Sequence, residues 1–384
     1  MLFEMTAPCH FGLEAVLKRE LHDLGFDGIK AEDGRVNFTG NEKDLCRANI
    51  FLRTAGRILI RVGEFNALTF EELFESTRAL PWERYLPQDA RFWVTKATSV
   101  DSKLYSTPSI QRIMKKAMVA RMQEHYRTEV FPETGSDYPV RVLLRKNHVS
   151  VYLDTSGDSL HKRGYRTVAG EAPISEALAA ALIMLTPWRK DRILVDPFCG
   201  SGTFPIEAAM MAAHIAPGMN RSFTAQAWTD LIPEKIWRET FDEARAQVCK
   251  PERTDIRGFD IDREVLKLAR ANAKAAGVAD LIHFQQMDVA DVRHPKKYGF
   301  VITNPPYGER MDETLLPEIY TKFGQMAATL QDWSVFMITS YKDAEKYFGK
   351  KADKKRKIYN GMLRTDYLQF FGARPPRRKQ VKES

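Results

Sequence analysis

The sequence is poor in cysteine and has no long apolar run. Its 384 residues hold four scattered cysteines (Cys9, Cys46, Cys199, Cys249) and no CxxC pair. A disulfide scaffold and a zinc ribbon are therefore not expected. The best apolar stretch, 177–185, is one helix's worth, well short of the roughly 20 residues of a membrane span. The start, MLFEMTAPCH, lacks the basic and apolar regions of a secretory signal, so a soluble cytoplasmic protein is expected. The eight histidines (His10, His22, His125, His148, His161, His214, His283, His294) show no metal-ligand spacing, and no metal is expected. There is no internal repeat and no low-complexity segment outside the tail.

Core-forming residues are plentiful: 44% hydrophobic and 11% aromatic. That excludes a disordered chain. At roughly 150 residues per domain, two or three domains are expected. The net charge of +8 is unevenly spread: −4 over 1–90, +7 over 91–170, −4 over 171–341 and +9 over 342–384. A basic block is the footprint of a polyanion partner, or else a solvated face and tail. Arg112, Lys115, Lys116, Arg145, Lys146, Lys162, Arg163 and Arg166 are the candidate nucleic-acid contacts of the first block.

The N-terminal part reads as α+β. A strand at 3–6 precedes a helix over 11–24 that ends at Gly25. A hairpin turns at Asp33-Gly34, and a helix over 41–51 has Asn41 as its cap. Strands at 58–62 and 91–97, helices at 70–77 and 109–126, and a hairpin of 140–144 with 149–153 follow. The basic, glycine-containing stretch 161–172 reads as a linker. A helix over 173–185 comes next, and then the pattern changes. Strands at 193–195, 256–259, 282–285, 300–303 and 335–339 alternate with helices at 204–213, 234–248, 262–276 and 313–330. Short apolar strands alternating with helices predict a parallel, doubly wound sheet. Two final runs, 357–359 and 363–370, have no helix between them and would close it as an antiparallel hairpin. Residues 372–384 are expected to be disordered.

Four strand ends carry chemistry. Asp196-Pro197-Phe198-Cys199-Gly200-Ser201-Gly202-Thr203 joins a strand to a helix. Its glycines let a ligand approach the backbone. No GK[ST] follows, and an acid opens the loop, so a phosphate is disfavoured. A cationic ligand suits it, such as a sulfonium carrying an amino-acid amine. In Gly258-Phe259-Asp260-Ile261-Asp262, Asp260 ends the next strand, where an acid can accept from both ribose hydroxyls; Asp262 fits a helix cap. Asp288, followed by Val289, can accept from an adenine amine, or be simply solvated. Asn304-Pro305-Pro306-Tyr307-Gly308 ends the strand FVIT. Two prolines remove two backbone donors. Asn304 adds an acceptor, so the turn suits a planar NH₂ group and the positive charge it gains on attack. Tyr307 can stack on the attached base.

DPFCGSGT, GFDID, the Asp288 strand and NPPYGER resemble the motifs of class I S-adenosylmethionine-dependent amino-methyltransferases. With HKRGYR and EAPISEALAAAL added, nearly the whole chain is similar to the large-subunit (23S) rRNA guanine-N2 methyltransferase L family, including its short bacterial homologues with a THUMP domain. The resemblance implies an α/β fold. A Rossmann-like domain with a mostly parallel seven-stranded sheet, 173–384, would follow a ferredoxin-like segment, 1–60, and a THUMP RNA-binding domain, 61–160. It implies S-adenosyl-L-methionine as cofactor and a structured RNA as partner. Asp196 through Thr203 would cradle the methionine end, Asp260 with Ile261 the ribose, and Asp288 with Val289 the adenine. Asn304, Pro305, Pro306 and Tyr307 would hold the target base. Glu176 would sit near the cofactor or be a solvent-facing first-turn acid. NPPY also occurs in adenine-N6 DNA methylases, and a non-catalytic RNA-binding or assembly factor could keep the same fold; both stay open as alternatives.

Overall fold

The computed structural model describes residues 1–166, 173–307, 313–361 and 363–376. Part of the expected linker (167–172), Gly308-Glu309-Arg310 of the NPPYGER string, and tail residues 377–384 lie outside the described residues. The chain divides into two compact units. One comprises Met1–Cys9, Leu17–Leu160 and Gly218–Ala246. The other comprises His10–Val16, His161–Pro217 and Gln247–Ser384.

The first unit is built on a seven-stranded sheet with order β2-β3-β1-β4-β7-β6-β5. Its strands are β1 (Phe3–Pro8), β2 (Asp27–Glu32), β3 (Arg35–Gly40), β4 (Leu59–Asn66), β5 (Arg91–Val100), β6 (Asp137–Arg145) and β7 (His148–Asp154). Helices α1 (Glu14–Asp23), α2 (Glu42–Phe51), α3 (Phe70–Arg78) and α4 (Thr107–Tyr126) connect them. The local signals act as expected. Glu32 pairs with Arg35 across the Asp33-Gly34 turn, and Gly34 has φ 73°. Asn41 caps α2 in a reciprocal capping box with Asp44. β5 runs parallel to β6, so α4 serves as their crossover.

β5 is an edge strand, and α4 covers its outward carbonyls. Gln111 Nε2 donates to Val94 O at 2.8 Å. Lys115 Nζ donates to Phe92 O and sits 3.9 Å over the Phe92 ring. Capped carbonyls cannot recruit another strand.

The sequence places 218–246, with its helix α7 (Glu234–Gln247), among the strands of the C-terminal sheet. In the structure these residues belong to the first unit. The Trp228 ring stacks on Tyr138 at 4.7 Å, and its Nε1 donates to Asp137 O at 2.8 Å. A long insertion with its own aromatics finds its apolar partner wherever one is exposed, and helical periodicity does not say where.

The second unit holds another seven-stranded sheet, order β10-β9-β8-β11-β12-β14-β13. Its strands are β8 (Leu194–Asp196), β9 (Ile256–Asp260), β10 (Ile282–Gln286), β11 (Phe300–Thr303), β12 (Ser334–Thr339), β13 (Lys354–Asn360) and β14 (Leu363–Phe370). The first five are parallel; β14 and β13 close the sheet as an antiparallel hairpin. Helices α5 (Glu176–Met184), α6 (Thr203–Ala212), α8 (Arg263–Ala275) and α9 (Leu316–Thr329) cover it. Strand order proceeds from β8 to β9 on one side and to β11 on the other. The carboxyl ends of β8 and β11 therefore form the switch point at which open α/β sheets bind ligands. Val195, Val301, Phe323, Met337 and Leu368 lie in one buried apolar cluster.

Two details were not expected. A short helix α10 (Ala344–Phe348) follows β12. The chain also stays packed past β14: Gly372 N donates to Ser334 Oγ at 3.0 Å, although disorder was expected from this residue. Gly324 of α9 is where α10 docks, for a Cβ there would fall on the Phe348 backbone carbonyl. Gly324→Ala should lower the unfolding free energy by about 1–3 kcal/mol through overpacking. A wild-type urea midpoint would show that the two helices separate easily.

Candidate active site

The parallel sheet brings three of the motifs to one end, because Asp196 and Asp260 end β8 and β9 and Thr303, just before Asn304, ends β11. After Asp196 the chain turns through a glycine loop into α6. Gly200 (φ 51°) and Gly202 (φ 87°) take left-handed conformations that side-chain-bearing residues avoid. At Gly202 a Cβ would also press on Phe284, Ala269 and Ile206 at 3.1–3.3 Å. The loop is tied to β9: Cys199 N donates to Phe259 O at 2.9 Å and Gly200 N to Asp260 Oδ2 at 2.9 Å. The other Asp260 oxygen accepts from Asp262 N at 3.0 Å. Asp262 caps α8 through Glu264 N at 2.7 Å.

Asp196 is buried, at 1% exposure. Its Oδ1 accepts from Thr303 Oγ1 at 2.5 Å and from Phe198 N at 3.1 Å. Burial pushes its carboxyl up to about 7, against these two hydrogen bonds. Burial likewise raises Asp260. Thr303 carried no signal of its own in the sequence, since a strand-ending threonine is ordinary β composition.

A cavity of about 610 Å³ opens above these strand ends. Of the expected ligand residues, Asp196, Pro197, Phe198, Gly200, Ser201, Thr203, Asp260, Ile261, Asp288, Val289, Asn304 and Pro306 line it. Its volume fits a nucleoside-sized molecule. Among the described residues, its charged lining is Asp196, Asp260, Asp262, Asp288, Glu318 and Lys322, an acidic set that favours a cationic ligand. Lys322 Nζ is held by Glu318 at 2.8 Å and lies 4.0 Å from Asp288. Asn304 Oδ1 and Ser201 Oγ are buried and, among the described residues, have no hydrogen-bond partner. Buried polar atoms are almost always paired, so these two point to a ligand.

Three expected residues stand elsewhere. Gly202, Pro305 and Tyr307 do not line the cavity. Tyr307 is only 3% exposed, so its ring packs inward and is not a platform for a base in this conformation. The Pro306 carbonyl accepts from Tyr320 Oη at 3.3 Å.

The candidate nucleic-acid contacts also divide. Arg112, Lys116, Arg145, Lys146 and Lys162 are exposed; Arg145 reaches Asp33 at 3.0 Å. Lys115 is committed to the β5 edge. Arg163 is buried, its Nε 3.4 Å from Glu207 Oε1, with both side chains at 1% exposure or less. Tyr165 Oη donates to the same oxygen at 3.2 Å. Arg166 donates to Thr203 Oγ1 at 2.9 Å and pairs with Glu176 at 3.2 Å. Glu176 is therefore buried, not solvent-facing, and burial raises its carboxyl. These two arginines anchor the start of α6 instead of facing a polyanion: a basic tripeptide pattern does not reveal which guanidinium a buried carboxylate will claim.

Three family descriptions match the chain: an RlmL ferredoxin-like domain over 4–59, a THUMP domain over 67–154, and an RMKL-like methyltransferase domain over 163–369. YpsC of Bacillus subtilis (strain 168), provisionally named an RNA methyltransferase, is 42% identical over 385 residues, 100% of this chain and 99% of that protein. The solved structure of SMU.472, provisionally named a methyltransferase and complexed with SAH, superposes with TM-score 0.92 at 45% identity over 98% of this chain and 99% of its own. A Listeria monocytogenes (str. 4b F2365) structure, named from prediction an N6-adenine-specific DNA methylase, superposes with TM-score 0.92 at 46% identity over 97% of each chain.

Two outcomes are expected from this geometry. A carboxyl whose folded value is raised adds stability below its unfolded value, near 4, and that contribution is lost as pH rises through about 7. Thr303→Val removes a bond that favours the ionised form. The gap in melting temperature between wild type and Thr303→Val should therefore be small at pH 5 and widen by pH 8. A gap independent of pH would mean that this bond does not set the charge of Asp196. Arg163→Met strands the Glu207 carboxylate and should cost about 3–5 kcal/mol; unchanged denaturant unfolding would return Arg163 to the list of surface contacts.

Proposed function

Because the chain belongs to the RMKL-like methyltransferase family, we propose that it transfers a methyl group from S-adenosylmethionine to the exocyclic amine of a base in structured RNA, with guanine N2 of large-subunit rRNA as the target. One observation carries this reading: the buried Asn304 Oδ1, which lines an acidic cavity and has no hydrogen-bond partner among the described residues. It is an acceptor held ready for an N–H.

The residues present fit the cofactor. Asp196 would face the cationic methionine end, with Ser201 Oγ supplying a polar contact. Asp260 retains unused lone pairs for a ribose, and Asp288 for an adenine amine. When bound, S-adenosylmethionine supplies an electrophilic methyl group on a sulfonium. Asn304 Oδ1 would accept one amine N–H of the target base, aim the nitrogen lone pair, and stabilise the positive charge that grows on that nitrogen. Pro305 and Pro306 hold the turn rigid and offer no competing donor. The base would reach the cavity by extrusion from its stack. The SAH complex of SMU.472 and the RNA-methyltransferase name of YpsC support this reading.

The name of the Listeria relative favours a second reading, adenine N6 in DNA. The THUMP match over 67–154 supports RNA against it.

Asn304→Ala should cut kcat by about 100- to 1,000-fold, as for other single donors or acceptors of a transition state, with affinity for SAH unchanged. Near-normal turnover would remove Asn304 from this role. Nucleoside mass spectrometry of rRNA from a deletion strain should show one N2-methylguanosine lost. Loss of N6-methyladenosine would replace the base, and an unchanged rRNA profile would overturn the assignment to rRNA.

A further inference from the structure

Two exposed aromatic side chains stand beside the cavity in the second unit. Phe11 is 53% exposed and Tyr359 41% exposed. Their rings meet edge to face, centroids 6.1 Å apart at 77°. Two exposed rings in contact form a small apolar patch that a partner can cover.

Their position follows from the sheet. Thr339, the last residue of β12, pairs with Asp366 of β14. The hairpin then continues through Thr365, Arg364 and Leu363, paired to Ile358, Tyr359 and Asn360. It therefore projects beyond the carboxyl end of the sheet, the end that bears Asp196 and Asn304. His10 fixes the pair to the cavity rim. Its Nδ1 donates to Tyr359 O at 3.2 Å, and its Nε2 lies 3.2 Å from Ser175 Oγ. Ser175 follows Ile174, which lines the cavity. Arg356 donates to Gly12 O at 2.9 Å and pins the same segment to β13.

Two cations and one acid share the face of the pair. Arg364 lies directly across from Tyr359, and Lys357, two residues along, is directly across from Asp366. Lys357 and Arg364 are exposed. Glu345 takes Lys355, whereas among the described residues Lys357 and Arg364 form no ion pair. Rings flanked by exposed cations match a single-stranded polynucleotide, whose bases stack while its phosphates pair. An apolar protein partner would not call for the two cations.

We propose that Phe11 and Tyr359, with Lys357 and Arg364, form a stacking platform for a nucleotide next to the target base, which the platform holds splayed at the cavity rim. The inference rests on the RNA-methyltransferase reading and adds a substrate surface to it. Tyr359 and Phe11 act on RNA binding, not on the methyl group.

The test uses full-length protein, deproteinised rRNA from the deletion strain, and labelled S-adenosylmethionine. Tyr359→Ala and Phe11→Ala should each raise KM for RNA about tenfold, while kcat and SAH affinity stay within twofold. Tyr359→Trp should keep the wild-type KM. Lys357→Gln and Arg364→Gln should each lower the salt slope of RNA binding by about one. Wild-type KM in both alanine variants, with the wild-type enzyme active, overturns the platform alone and leaves the pair to a protein partner. Weakened SAH binding or a lowered melting temperature in Tyr359→Ala, in parallel with its KM, also overturns it, because the ring would then be holding the fold. If wild-type enzyme labels no RNA, the functional reading falls and the platform with it.

Discussion

The hydrogen bond from Thr303 to Asp196 joins two neighbouring parallel strands at the place where the order of the parallel strands reverses. The site depends on that junction. It sets a carboxylate beside the residue that leads into Asn304, in a setting where burial holds the acid near neutrality. Burial disfavours the ionised form of this carboxyl, and a cation bound beside it would offset that cost. Asn304 Oδ1 and Ser201 Oγ, which have no partner among the described residues, belong to the same pattern: a ligand can donate to the amide oxygen and can donate to or accept from the hydroxyl.

The acids of the site are not interchangeable. Asp260 uses both oxygens to hold backbone, one at Gly200 and one at Asp262. Asp262 is committed to the α8 cap. Asp288 accepts from Ala290 N at 2.8 Å. Each of these carboxylates is oriented before any ligand arrives, so a ligand meets lone pairs that already point in fixed directions. Asp196 differs in being fully buried and bonded to a side chain from another strand. That isolates it as the acid most sensitive to what occupies the cavity.

Much of this was legible because strand-end chemistry is local. A glycine loop after a short apolar strand, an acid closing the next strand, and Asn-Pro-Pro closing another fall together once the sheet is parallel, and the alternation of strands and helices predicts that. Burial was not legible. Arg163, Arg166 and Lys115 look like surface charge in a basic block, yet Glu207, Glu176 and the β5 carbonyls claim them. Tyr307 follows two prolines that fix its direction, and no periodicity says whether that direction is inward. Residues 218–246 have helical spacing wherever they pack. In each case the sequence carries the type of contact and only the third dimension carries the partner.

The second unit bears both signs of charge on neighbouring surfaces, and the separation has a chemical consequence for the proposed reaction. Among the described residues, five acids and one lysine are the charged groups lining the cavity, while the far end of the β13–β14 hairpin presents Lys357 and Arg364 to solvent beyond the same end of the sheet. A nucleotide approaching this end of the sheet meets opposite instructions for its two parts. The phosphates are drawn to the hairpin and repelled by the cavity; the base, being neutral, can enter. Selection of the base over its backbone then needs no contact that reads sequence, only a rim and an interior of opposite sign within reach of one nucleotide. It also separates the two ligands: the cationic methyl donor prefers the interior for the same reason that the polyanion stays outside, so neither competes for the other's place.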